Sequence, residues 1–258
     1  MSVPDADSFA ALARSSPWRW STLRFTLHRG VDGGGPDPVR AWLRRPDVVR
    51  VETLDGVLLQ VVRESPQQVA VLTSDGGCPA TPPWPSAADE PLRRPDGLVA
   101  ERAPGFFHDA PMYQDYRWVA MLDPVELADG LDHDSGEQAW PALVVSTVSE
   151  IEHAGRPAWE AVVRTTAAYE PRCGCCPLLR SRAIDLLEYQ DHPEQVLPVY
   201  PGAYRVRLDV GTAVCVFTAE IGGLTPGAGH DLRIEAVDEP MADDLFREPP
   251  RGWLRRRQ

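Results

Sequence analysis

The feature that most constrains this chain is a recurring two-residue alternation of apolar and polar side chains, broken at intervals by turn-forming pairs. A period of two is the spacing of a β-strand, whose successive side chains point to opposite faces. In the first such run Leu23, Phe25 and Leu27 alternate with Thr22, Arg24, Thr26 and His28. Further along, VRAWLRRPDVVRVET meets VLLQVVRE across Asp55-Gly56, a pair that favours a tight hairpin between alternating runs. A second hairpin joins VVSTVSEIE to PAWEAVVRT across Ala154-Gly155-Arg156, and a third joins residues 203–210 to 214–221 across Gly211-Thr212. QQVAVLT and residues 232–237 add further strands. Roughly eight to eleven strands, joined mostly by hairpins, predict a β-rich α+β fold, with one antiparallel sheet and helices packed on one side.

Helical signals are few. Pro4, Asp5 and Asp7 suit a helix start, and Phe9, Leu12 and Ala13 share the face behind it until Pro17 stops the run. A helix is expected over residues 112–121 with Asp109 as its cap. Another start is expected at Asp123-Pro124-Val125-Glu126, where a cap, a proline and a glutamate stand in capping-box order. Residues 240–246 close as a turn or short helix. Residues 76–111, rich in Pro, Asp and Gly, read as an insertion, and residues 168–180 read as a cysteine-containing loop. No internal repeat and no dividing linker interrupts the chain, so residues 1–258 are expected to form a single domain.

Charge narrows the function classes. The formal net charge is −12, and because the chain contains no lysine all 26 basic side chains are arginines. An acidic surface repels phosphate backbones and anionic lipid headgroups, which argues against nucleic acid as a partner. Arg40, Arg44 and Arg45 form one short basic cluster. Arg255, Arg256 and Arg257 form another, read as a solvated tail that could touch an acidic protein partner. The opening residues MSVPDADSFAALARSSPWRW lack a secretory pattern, and no apolar run is long enough for a transmembrane segment. A cytoplasmic location is therefore expected, with the five cysteines as reduced thiols or metal ligands.

The sharpest local feature is Cys173-Gly174-Cys175-Cys176, set between Pro171 and Pro177. Three thiols in one tight loop can converge on a soft ion, and zinc is the expected cofactor if the loop holds a metal. Cys78 or His192 would complete the ligand set. A thiol-reactive site beside Arg172, or a turn of small residues with no chemistry, are the other readings of the same loop. Cys215, between Val214 and Val216, reads as a buried small hydrophobe. Histidines in the pairs His108-Asp109, His133-Asp134 and His230-Asp231 are expected at the surface or in turns. No nucleophile elbow, phosphate-binding loop or paired metalloprotease histidines are present, so no catalytic residues are assigned and the chain is not expected to be an enzyme. The carboxylates Asp185, Glu188, Asp191 and Glu194, and Asp238, Glu239, Asp243 and Asp244, are expected to be structural.

Three stretches taken in order carry a family likeness: AWLRRPDVVRVETLDGVLLQVV, YRVRLDVGTAVCVFTAEIGG and HDLRIEAVDEPMADDLFREPP. Together they resemble the LolA-like and RseB-like lipoprotein-carrier superfamily over about half of the chain. The resemblance implies a single curved antiparallel sheet, a half-barrel with helices packed on its concave side. It also implies an apolar concave face that holds a lipid or a hydrophobic partner segment. The chain departs from that pattern in lacking an export signal and a lipobox cysteine. The expected function is thus a non-enzymatic binding or regulatory protein, in which Trp20, Trp42, Tyr116 and Trp118 line a groove for an apolar ligand and MYQDYRWVAML acts as its plug or lid. The alternative is a structural-zinc or thiol-containing interaction protein using the Cys173–Cys176 loop, with Cys78 completing the site.

Overall fold

The computed structural model describes residues 4–30, 35–63, 90–103, 106, 111–139 and 141–248. The expected strand QQVAVLT, the cap Asp109 and the ligand candidate Cys78 lie outside these residues. In chain order the strands are β1 (Thr22–Arg29), β2 (Val39–Arg44), β3 (Val48–Thr53), β4 (Leu58–Arg63), β5 (Leu92–Arg93), β6 (Val99–Glu101) and β7 (Gly130–Leu131). They continue as β8 (Gln138–Ala139), β9 (Leu143–His153), β10 (Arg156–Thr165), β11 (Ala203–Asp209), β12 (Cys215–Ile221) and β13 (Gly229–Val237). The helices are α1 (Ala6–Arg14), α2 (Arg117–Leu122) and α3 (Arg182–Glu188).

Among the described residues nine strands form one antiparallel sheet in the order β4-β3-β2-β1-β13-β12-β11-β10-β9, and these strands do not close it into a barrel. It consists of two antiparallel runs joined where the first strand pairs with the last; in the second run residues 166–202, which carry the cysteine turn and α3, connect β10 to β11. Leu23 stands opposite Val237, and Leu27 opposite Leu232. Asp238 fixes this seam, because its Oδ1 accepts the backbone N–H groups of Ser21 at 2.6 Å and Thr22 at 3.2 Å. The expected Asp55-Gly56 turn joins β3 to β4, and Gly56 takes φ +87°, a conformation that favours glycine.

One face of the sheet carries the core. Leu23, Phe25 and Leu27 on β1 lie against Leu43, Ala41 and Val39 on β2, and Val49 and Val51 on β3 extend the same buried surface. Helix α1 covers part of it, capped by Asp5, whose Oδ1 accepts Ser8 N–H at 2.8 Å; Phe9 and Leu12 of the helix are fully buried. Helix α2 is shorter than the sequence suggests. It is apolar from Trp118 to Leu122, and all five residues are buried, as expected of a helix with no polar face. Trp118 packs on Phe25 with ring centroids 5.3 Å apart.

The arginine cluster disperses on folding. Arg40 pairs with Glu235, and Arg44 lies over the Phe246 ring at 5.0 Å. Arg45 is buried: its guanidinium donates to the carbonyls of Ser16 and Trp20 at 2.8 and 3.2 Å and stacks 3.4 Å from the Trp20 ring. Burial lowers its pKa to about 9, which still leaves the group charged at neutral pH.

His230 is not the surface histidine that its neighbour Asp231 suggests. It lies within β13 and is buried, with Nε2 at 2.8 Å from the Cys215 carbonyl and Nδ1 at 2.9 Å from Thr218 Oγ1. The neutral ring fits both partners, donating from Nε2 and accepting at Nδ1. Burial lowers its pKa to about 3. Between about pH 6.5 and 3 the unfolded chain therefore binds the proton that the folded chain refuses, so stability falls as pH is lowered through that window. Urea unfolding at pH 7 and pH 5 should show this loss, and His230→Gln should shrink it; equal pH dependence in both proteins contradicts the assignment.

Candidate thiol and metal centre

The Cys173–Cys176 sequence folds into a single tight turn, in which the Cys173 carbonyl accepts the Cys176 N–H at 3.3 Å. The turn gathers its thiols. Cys173 Sγ lies 2.8 Å from Cys175 Sγ, and Cys175 Sγ lies 3.9 Å from Cys176 Sγ. All three sulfurs fall within 4.8 Å of one another. Cys175 is exposed, and the other two are half-buried.

A buried carboxylate holds this turn at both ends. Glu126 Oε2 accepts Arg172 N–H at 3.1 Å, just before the first cysteine, and Oε1 accepts Leu178 N–H at 3.1 Å, just after the last. The Tyr169 hydroxyl donates to the same Oε1 at 2.5 Å and accepts Leu179 N–H at 3.1 Å. Burial raises the pKa of Glu126, against the hydrogen bonds that lower it. The Arg172 side chain adds a second tie by pairing with buried Asp123, which Arg102 also engages. Burial pushes the Asp123 carboxyl up, but the two guanidinium groups outweigh it and hold it below the usual range. Beyond the turn, Arg180 pairs with fully buried Asp185 at 2.8 Å, and Tyr200 donates to the same carboxylate at 2.6 Å. Asp185 therefore has the structural role expected of it, as an internal anchor.

The three thiols differ electrostatically. Burial raises Cys173, but hydrogen bonds from Cys175 and Cys176 outweigh it and bring its pKa below the ordinary value. The bond to Cys173 raises Cys175, with burial adding to it. Burial pushes Cys176 up to about 12, opposed by the Tyr116 backbone N–H directed at its sulfur. Glu188 on α3 lies over the turn, and a side chain on Gly174 would run into its carboxylate.

The other sequence candidates fall elsewhere. His192 pairs with Glu194 at the exposed surface, apart from the sulfur group. Trp20, Trp42, Tyr116 and Trp118 do not line one open groove. Trp20 is buried, with Nε1 donating to Ser16 Oγ at 3.1 Å, and Trp118 is buried in the core. Trp42 lies on the opposite sheet face, level with Arg24 and Arg50, because Ala41 and Leu43 take the core side of β2. Residues 241–246 cover that far face: Arg44 and Arg50 donate to the carbonyls of Met241 and Leu245 at 3.0 and 2.8 Å. Tyr116 alone stays exposed, and it adjoins the thiol turn through its backbone.

Compared with known proteins, the chain matches no family model, and a search of curated proteins finds no match. The site thus rests on its own geometry.

Sequence reasoning missed Glu126 and Asp123 as supports of the turn. The segment Asp123-Pro124-Val125-Glu126 does shape the backbone locally, into a short 3-10 turn at Val125–Leu127. Its carboxylates, however, serve residues some fifty positions later. Removing the Glu126 carboxylate strands two buried donors, Tyr169 O–H and Leu178 N–H, and the part-buried Arg172 N–H, at about 1–3 kcal/mol each. Glu126→Ala should therefore lose at least about 3 kcal/mol in urea unfolding of the reduced protein, and Glu126→Gln, which keeps one acceptor oxygen, roughly half as much. A loss below about 1 kcal/mol in Glu126→Ala would contradict the clamp.

Proposed function

We propose that this chain is a non-enzymatic metal-thiolate protein that binds one soft ion, zinc above all, through Cys173, Cys175 and Cys176. The observation that carries the reading is the convergence of three sulfurs on one turn clamped at both ends. Zinc–sulfur bonds of about 2.3 Å in a tetrahedron set sulfurs about 3.8 Å apart. The Cys175–Cys176 separation of 3.9 Å already has that spacing. Cys173 would have to withdraw by about 1 Å, a small side-chain adjustment. Glu188, whose carboxylate overhangs Gly174, would have to swing toward the sulfurs to act as the fourth ligand, and an open fourth corner would offer the ion to a partner. Because Glu126 and Asp123 already tie the turn to the interior, the ion would stiffen the loop and shape an interaction surface rather than fold the sheet.

The reduced chain should bind one zinc ion, and Cys175→Ser should abolish stoichiometric binding, whereas Cys215→Ser, at a buried position in β12, should keep it. Elemental analysis of the dialysed proteins measures this. A wild-type protein that is metal-free after zinc exposure, with unchanged melting temperature, overturns the reading.

A second reading is favoured by a separate observation. Leu27, Val39, Leu59, Tyr113 and Trp118 line a cleft of about 190 Å³, with Arg29, Asp37 and Gln114 as its polar part, and among the described residues the buried Trp118 Nε1 has no hydrogen-bond partner. An apolar chain ending in an oxygen acceptor would suit such a cleft. This is the ligand class implied by the lipoprotein-carrier resemblance, which also implies a sheet curved as a half-barrel with helices on its concave side. Leu59, 44% exposed, can be changed without opening the core. Palmitate should quench tryptophan fluorescence in the wild type, and Leu59→Arg should weaken that binding at least about tenfold, or about 1.4 kcal/mol. Absence of any saturable response in the wild type removes this reading.

A further inference from the structure

We propose that the thiol turn is also a peroxide-sensitive switch, in which Cys173 and Cys175 close to a disulfide and thereby dismantle the three-sulfur metal site. The release half of this inference rests on the metal reading above; the disulfide half stands on the geometry of the turn alone. The two sulfurs already lie 2.8 Å apart. A disulfide needs about 2.05 Å, so the pair has to approach by less than about 1 Å. Cys175 is exposed and open to a small oxidant, whereas Cys215 is buried in β12. Cys176 lies farther away, at 3.9 Å from Cys175, and is that residue's chain neighbour, a placement that strains a disulfide ring. Glu126 holds the N–H groups of Arg172 and Leu178, so the ring can close between two fixed ends.

The chemistry balances with hydrogen peroxide as oxidant. One sulfur of the pair attacks a peroxide oxygen, the O–O bond breaks, and hydroxide leaves as water after taking a proton. The sulfenic acid so formed is attacked by the second sulfur; its S–O bond breaks, and a second hydroxide leaves with the second thiol's proton. Two thiols and one peroxide thus give one disulfide and two waters; for the zinc-bound thiolates the two protons come from solvent, and the zinc ion is set free. Two of the three thiolate ligands disappear in that step, and Cys176 alone cannot hold the ion. A reducing dithiol reverses the change.

The test uses the full chain loaded with zinc and treated with stoichiometric hydrogen peroxide. A chromophoric chelator reports free zinc, and mass spectrometry reads the intact chain and the tryptic peptide CGCCPLLR, which separates these thiols from Cys78 and Cys215. The expected result is a peptide lighter by two hydrogen atoms, one zinc released per disulfide formed, and recovery of zinc binding after reduction. Cys176→Ser should still form the disulfide, whereas Cys173→Ser and Cys175→Ser should slow peptide oxidation by at least about tenfold. A peptide that gains oxygen atoms instead, or a disulfide that persists in Cys175→Ser, overturns the switch. A reduced chain that never holds zinc refutes the metal reading and metal release with it, while the peptide mass still decides the disulfide.

Discussion

One buried carboxylate links the apolar interior of this protein to its most reactive surface loop. Glu126 lies inside the protein, yet its oxygens are spent on Tyr169, Arg172 and Leu178, the residues that bracket the cysteines. Burying such a group is unfavourable unless its bonds are made, so the loop and the interior constrain each other. The carboxylate also sets the dimensions of the turn. With both ends tied to one side chain, the thiols have little choice but to converge. Asp123 acts in parallel by joining Arg102 to Arg172, so the last residues of α2 and the turn after it form the platform on which the thiol turn rests.

The lysine-free composition bears on this architecture. An arginine guanidinium presents several donors in a planar fork and stays charged when buried, where an ammonium would readily lose its proton. Arg45 illustrates the use: it bonds two carbonyls and stacks on Trp20, between the end of α1 and the start of β1. Arg44 and Arg50 reach the chain segment that covers the far face of the sheet. Several of the described arginines thus act as internal ties.

Much of the fold was legible because strand periodicity is local. The alternation in β1, β2, β10, β11 and β13 and the Asp55-Gly56 turn translate directly into the antiparallel sheet. The same alternation placed Trp42 among Arg40 and Arg44, away from Ala41 and Leu43, and so on the face opposite Trp118. Residue type alone, an aromatic near other aromatics, pointed the wrong way there. The pairing of β1 with β13 joins residues over two hundred positions apart, and no local signal marks it. The candidate site divides in the same way. The Cys173–Cys176 turn is visible as a motif, whereas its supports come from Asp123 and Glu126, which look locally like an ordinary helix start. His230 shows the limit again: an adjacent aspartate suggests a turn, but strand pairing carries the ring inward against Cys215 and Thr218.

Cobalt(II) titration of the fully reduced chain tests the central claim most directly, because tetrahedral thiolate coordination gives that ion intense visible and charge-transfer absorption. The clamped three-sulfur turn predicts saturation at one equivalent, with thiolate bands that zinc then displaces. A titration without sulfur-to-metal absorption, or with bands that survive loss of Cys175, would contradict it.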